Sequence, residues 1–417
     1  MAAEPTPKAP PCRFCAAPLT HTFVDLGMSP LCQTHVEPDR LNEKEDFFPL
    51  HVWVCDACFL VQLQEYVSPE QIFTEYAYFS SFSDTFVAAA KRYCQSMAQR
   101  FGLGSASRVV EIASNDGYLL QHFIAMGIPA LGIEPAANVA AAAIEKGVPT
   151  LVRFFGSETA RAVVAKHGKA NLLLGNNVLA HVPGLNDFVA GMKILLGDGG
   201  VITMEFPHLM RLMEGNQFDT IYHEHFSYLS FTTVERVFAA HGLTLFDVEE
   251  LPIHGGSLRI FARHAADASR PVDPRVAELR AREAAAGFTR LDHYFSFGEQ
   301  VKETKRRLLE FLIDAKRKGK QIAGYGAPGK SITLLNYCGI RTDFVDYTVD
   351  RNPYKQGKYQ AGVRIPIYAP EKIRETRPDY LLILPWNLTD EVVHYTSYIR
   401  EWGGQWIVPI PTVKVLS

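Results

Sequence analysis

The 417-residue sequence predicts an α/β protein in three parts. A small cysteine-bearing module is expected over 1–75, a central Rossmann-like domain over 76–270, and a helical connector with a smaller Rossmann-like α/β domain over 271–417. Three observations carry this reading. Short β-like runs alternate with helical patterns through the middle of the chain, the pattern of a doubly wound parallel sheet. A Cys-x-x-Cys pair occurs twice near the N-terminus. A second glycine-bearing strand-turn-helix follows late, at Gly324–Ser331.

Bulk properties narrow the class. At 47% hydrophobic residues the chain can bury several cores. No apolar run approaches the roughly 20 residues of a membrane span, and the opening residues lack the charged and apolar regions of a secretory signal. A soluble, cytoplasmic and monomeric protein is expected. Net charge is −3, yet residues 1–75 hold four Lys/Arg against eleven Asp/Glu while residues 301–417 hold nineteen against twelve. The acidic start argues against nucleic-acid binding there, whereas the basic end suits an anionic, diphosphate-bearing ligand or a solvated basic face.

In the first part, Cys12-Arg13-Phe14-Cys15 and Cys55-Asp56-Ala57-Cys58 each form a turn able to offer two thiolates to one ion. Together they complete a tetrahedral structural zinc site, since four thiolates leave no open position for catalysis. The long stretch between the pairs leaves Cys32, His35 or His51 as a substitute for one ligand. Seven cysteines are too few for a disulfide scaffold and fit a reducing compartment.

Next comes a helical pattern through Phe86, Ala90, Tyr93 and Met97. Strands are expected at 108–113, 130–134, 171–176 and 200–205, with an antiparallel pair at 245–251 and 257–263. The first strand runs into Ala113-Ser114-Asn115-Asp116-Gly117, a first βα turn. A dinucleotide fingerprint needs glycines for close approach to a pyrophosphate, but Ala113 and Asn115 stand in those places, so the ligand here lacks phosphate. S-adenosylmethionine meets that condition. Glu134, eighteen residues after Asp116, can accept hydrogen bonds from both ribose hydroxyls. Glu111 and Asp116 face the cationic amino acid portion, and Asn177 lies at the sheet's carboxyl end near the sulfonium. A generic nucleotide switch point is the alternative.

Tyr222-His223-Glu224-His225-Phe226-Ser227-Tyr228 concentrates two imidazoles, a carboxylate and two phenols. Methyl transfer to carbon needs a base to remove a proton from the acceptor. His225 is the candidate, with Glu224 or another carboxylate orienting the imidazole and Tyr222 donating to the developing oxyanion. His181, and Tyr76 with Tyr78 in Tyr76-Ala77-Tyr78-Phe79-Ser80-Ser81, are expected to close over the methyl donor. A metal pair from His223 and His225, on one face of a strand, is the alternative.

Residues 273–319 read as connecting helices, followed by strands at 321–325, 342–350 and 380–384. Gly324-Tyr325-Gly326-Ala327-Pro328-Gly329-Lys330-Ser331 satisfies both a dinucleotide and a phosphate-loop pattern. A phosphate-loop hydrolase needs a strand ending in Asp to hold magnesium, but Tyr380–Leu384 runs into Pro385-Trp386, so ATP hydrolysis is rejected. Asp350 instead lies 21 residues past Gly329, at the end of the next strand, as a Rossmann reading requires. A turn that cradles diphosphate remains, with Gly326 and Lys330 on it and Asp350, Asn352, Lys355 and Gln356 nearby. NAD and a nucleotide diphosphate-sugar both fit it.

With these motifs in this order, the chain resembles, almost end to end, the three-domain sugar C-methyltransferases of deoxysugar biosynthesis. The resemblance implies a structural zinc domain, a middle domain for S-adenosylmethionine, a C-terminal domain anchoring a TDP-sugar, and an active site between the latter two. It further implies methylation at C-3′ of a TDP-linked 4-keto-deoxysugar, TDP-3-amino-2,3,6-trideoxy-4-keto-D-glucose being the expected acceptor. His225 then removes the C-3′ hydrogen, Tyr222 and Tyr76 engage the sugar or its enolate oxygen, and His181 and Glu224 complete the site. The rival is an NAD-dependent nucleotide-sugar oxidoreductase.

Overall fold

The structure, a computed structural model, describes residues 9–32, 34–73, 80–82 and 84–417. They pack as two compact units. One comprises the described residues up to Thr20 with Val54–Leu209 and Phe226–Leu291; the other comprises His21–Trp53, Met210–His225 and Asp292–Ser417. Among the described residues no helix is long and apolar enough to cross a membrane.

The first unit is built on a seven-stranded sheet. Its order is Leu243–Leu251, Ser257–His264, Leu196–Pro207, Ala170–Asn176, Val109–Ile112, Ala130–Ile133, Thr150–Leu151. The five strands from Leu196–Pro207 to Thr150–Leu151 pair in parallel, and Ser257–His264 runs antiparallel to both its neighbours. The central strands read as near-continuous apolar runs because helices cover both faces: Val109, Val110, Leu172, Leu173 and Leu174 are all fully buried. The chain leaves Val109–Ile112 toward one side of the sheet and returns at Ala170–Asn176 on the other. The crevice at the carboxyl ends of these two strands is therefore the topological switch point, where ligands bind in such sheets. A helix at Phe231–Ala240 is anchored by Glu283, fully buried on the Pro274–Ala286 helix, which accepts the Phe231 and Thr232 N–H groups at 2.7 and 2.8 Å. A carboxylate there satisfies donors that the first helical turn leaves open.

The second unit contains a six-stranded sheet in the order Ile367–Tyr368, Tyr347–Val349, Ile322–Tyr325, Tyr380–Ile383, Gln405–Val408, Lys414–Leu416, parallel except for the last strand. The Leu291–Arg317 helix carries a buried stripe of Tyr294, Phe297, Val301, Leu308 and Leu312, the spacing of one helix face. Phe23, on the His21–Ser29 strand, stacks on Phe297 with ring centroids 4.7 Å apart. The strand expected over 342–350 shrinks to Tyr347–Val349, because Phe344 and Val345 donate their N–H groups back to the Arg341 carbonyl in a turn. The short strands Thr150–Leu151, Ile367–Tyr368, Gln405–Val408 and Lys414–Leu416 escape periodicity: two to four residues are too few to show it.

Candidate active site

The metal centre is the simplest to build. Cys12, Cys15, Cys55 and Cys58 bring their sulfurs within 4.8 Å of one another, with Cys12 to Cys58 at 3.6 Å and Cys15 to Cys55 at 3.5 Å. A tetrahedral zinc with Zn–S near 2.3 Å requires sulfur–sulfur edges of about 3.8 Å, so this donor set fits the ion. Both turns share one design. The residue after the second cysteine, Ala16 in one and Phe59 in the other, takes a left-handed φ of 60° or 62°, and its N–H returns to the carbonyl of the first cysteine. Gln62 donates to Cys12 Sγ at 3.1 Å, an outer-shell contact that orients a ligand. The substitutes considered for a ligand are engaged elsewhere: Cys32 bonds to Glu224, and His51 bonds to Thr22 and stacks on Trp53. His35 lies in a strand paired with Tyr359–Gln360.

At the switch point of the first unit, Ala113 and Asn115 adopt left-handed φ values of 56° and 50°, which turns the chain sharply after the Val109–Ile112 strand. Glu134 accepts the Asn115 and Ala136 N–H groups, one on each oxygen, at 2.9 Å. Asn115 Oδ1 in turn accepts the Ser80 N–H at 2.9 Å, while Asp116 binds Ser81 and pairs with Lys146 at 2.9 Å. The serines and Lys146 were not singled out in the sequence, and only the fold reveals them. Glu111 is fully buried, and Glu111 Oε2 and Asp116 Oδ1 have no hydrogen-bond partner among the described residues. Burial, then the charges of Glu134 and Asp116, push the Glu111 carboxyl well above the usual carboxylate range. Such a crowded set of buried carboxylates is relieved by a cationic ligand, and the ammonium and sulfonium of S-adenosylmethionine supply that charge. Asn177, φ 54°, follows the neighbouring strand with its Oδ1 buried and likewise unpartnered among the described residues, and His181 ends the short Leu179–His181 helix with its ring edge-on to Phe73. Tyr76 and Tyr78 lie outside the described residues.

In the second unit, Tyr222 to His225 form a tight turn closed by the His225 N–H on the Tyr222 carbonyl at 2.9 Å. This corrects the strand assumed for a His223–His225 metal pair. The two rings are engaged separately: His223 Nε2 bonds the Pro49 carbonyl at 3.2 Å, and His225 Nδ1 meets the Thr220 carbonyl at 2.9 Å. Among the described residues the grouping with metal-binding geometry is the cysteine set. Because a carbonyl only accepts, His225 Nδ1 carries a hydrogen, so in the neutral form of the ring the lone pair is on Nε2. The orientation expected from a carboxylate thus comes from the main chain. Glu224, 5% exposed, instead accepts the Cys32 thiol at 3.0 Å, and burial pushes its pKa up to about 7. The half-buried Tyr222 ring lies 4.1 Å from the His225 ring.

The glycine loop of this unit is held by its own acidic residue. Asp350 accepts the Ala327 N–H at 2.8 Å on one oxygen and the Asn352 N–H at 2.8 Å on the other, and Lys355 bonds the Ala327 carbonyl at 2.9 Å. Gly326 has φ 85°, and a Cβ there would meet Pro385 Cδ at 2.7 Å, so glycine is required twice over. Lys330 binds Asn387 and lies 4.3 Å from the Trp386 ring centroid.

Three family models match in succession: "Putative zinc binding domain" over 12–73, "Methyltransferase domain" over 86–248 and "C-methyltransferase C-terminal domain" over 252–411. C-methyltransferase NovU of Streptomyces niveus is 35% identical over 406 residues, covering 97% of this chain and 96% of that protein. Solved structures similar to part of the chain include an S-adenosylmethionine-dependent methyltransferase from Clostridium acetobutylicum, 10% identical over 43% of this chain and 92% of that one, TM-score 0.35. The CcbJ methyltransferase from Streptomyces caelestis is 12% identical over 42% of this chain and 90% of that one, also at TM-score 0.35.

Proposed function

The chain belongs to the C-methyltransferase family, and on that premise we propose that its acceptor is a nucleotide-linked keto sugar, methylated at a carbon beside the ketone. The observation that carries this reading is the His225 Nδ1 hydrogen bond to the Thr220 carbonyl, which leaves Nε2 as the basic nitrogen. S-adenosylmethionine, when held by Glu111, Asp116, Glu134 and Asn177, supplies an electrophilic methyl group on a sulfonium. His225 Nε2 takes the proton from C-3′, and the C–H electron pair passes into an enolate with the C-4′ oxygen. Tyr222 donates a hydrogen bond to that oxygen, and the methyl donor would supply its methyl group to the carbanion carbon, the carbon–sulfur bond breaking and S-adenosylhomocysteine leaving as a neutral thioether. The loop bearing Gly326 and Lys330, with Asn352 and Lys355, receives the TDP diphosphate in a region rich in basic residues. By the family resemblance, Tyr76 engages the sugar or its enolate oxygen, Tyr78 assists binding, and His181 and Glu224 complete the site. The preferred acceptor is TDP-3-amino-2,3,6-trideoxy-4-keto-D-glucose. No observation favours the oxidoreductase reading, in which Asp350 would hold a cofactor ribose. A mass-spectrometric assay of 4-keto TDP-sugars with labelled S-adenosylmethionine tests the proposal. It expects labelled methyl on carbon in at least one sugar; transfer to nitrogen or oxygen alone would overturn it.

A further inference from the structure

Within the second unit, the segment that carries His225 is held at several points by the C-terminal part of the chain. Asp219, fully buried in the short Phe218–Thr220 helix, accepts the Trp386 indole N–H at 2.8 Å. Its carboxylate is also stabilised by the Lys330 ammonium and by the main-chain N–H groups of Asp219 and Thr220, although burial still pushes its pKa up to about 6. Lys330 is itself fixed over the Trp386 ring and on Asn387. One residue on, the Thr220 carbonyl holds His225 Nδ1. The next carbonyl, of Ile221, accepts the Thr333 hydroxyl at 2.7 Å from the helix that follows the glycine loop, and the Phe218 ring packs edge-on against Tyr337 of the same helix.

We propose that Asp219 and Trp386 are positioning residues for His225: their hydrogen bond fixes the peptide whose carbonyl selects the imidazole tautomer and aims Nε2. The inference rests on the reading of His225 as the base. Neither residue touches the reacting atoms. Trp386 stands two residues past the Tyr380–Leu384 run and Asp219 precedes the histidine cluster, so they are separated by 167 positions and no local motif joins them. Lys330 lies over the Trp386 ring, and its charge acts on the Asp219 carboxyl.

Trp386→Phe keeps an aromatic ring beside Lys330 while removing the N–H donor with the pyrrole ring, and Asp219→Asn keeps the shape and removes the charge. Nitrogen-15 histidine NMR of the full-length enzyme reads the His225 tautomer directly. The wild type is expected to show one tautomer, protonated on Nδ1, and both variants a mixture. In steady-state assays kcat should fall about 10- to 100-fold with KM and S-adenosylhomocysteine affinity little changed, the signature of a misaimed group rather than a lost binding site. An unchanged tautomer with unchanged kcat in the folded Trp386→Phe enzyme would overturn the proposal. Failure of the base assignment is seen separately: His225→Asn would keep turnover, while a tautomer shift in Trp386→Phe would still report the contact.

Discussion

At the scale of single residues, the proposed chemistry turns on which nitrogen of His225 carries its proton, and the Nδ1 contact with the Thr220 carbonyl places a hydrogen on Nδ1. His225→Asn should retain S-adenosylmethionine affinity by calorimetry while losing turnover about 10²- to 10⁴-fold, the usual contribution of a positioned base. Glu224 gives a prediction of a different kind. Its carboxyl rises from an ordinary 4.5 to about 7 on folding, through burial, with the Cys32 thiol acting in the opposite sense. A raised carboxylate means that the folded state binds the proton more tightly, so stability falls as pH climbs from 4.5 toward 7, and the full cost stands above that window. This rise corresponds to roughly 3 kcal/mol. Glu224→Gln can still accept the thiol hydrogen bond, and its urea midpoint should vary less between pH 5 and 8 than that of the parent; equal slopes would remove Glu224 as the source. The residue types of this cluster were plain in the sequence. Their partners were not, because Cys32 lies 192 positions from Glu224 and hydrogen bonds of that range leave no spacing to read.

Turns and strands, the next scale up, were more legible. Both Cys-x-x-Cys turns and the Ala113–Gly117 turn stand where their residue types demand, since ligand number and the carboxyl end of a parallel strand are local properties. The four sulfurs should bind about one zinc per chain, found by elemental analysis, and Cys15→Ser should lower metal affinity and thermal stability together because binding and folding are coupled. A metal-free protein of undiminished stability would contradict this. At the glycine loop, Gly326→Ala forces a side chain into a left-handed φ and against Pro385. A loss of about 2 kcal/mol in chemical denaturation is expected; an unchanged midpoint would show that the loop is looser than its contacts imply. What escaped at this scale were edge strands such as Ile367–Tyr368 and the turn at Tyr222–His225, where a tight reversal places neighbouring histidines on separate carbonyls.

Across the whole molecule, alternation of strands and helices was enough to specify two α/β sheets, because that pattern repeats over tens of residues. The grouping of 21–53 and 210–225 with the C-terminal sheet was not visible, since no composition shift or linker marks those segments. Membership of the C-methyltransferase family gives the chain its reaction class, and the buried carboxylates of the first unit suit a cationic methyl donor. The claim on which everything else rests is that carbon, not nitrogen or oxygen, becomes the nucleophile after losing a proton to His225. Incubating a 4-keto TDP-sugar with the enzyme and S-adenosylhomocysteine in deuterium oxide measures this without turnover. The account predicts deuterium at the acceptor carbon with the parent enzyme and its loss with His225→Asn; an acceptor carbon that keeps its hydrogen in the presence of active enzyme would contradict it.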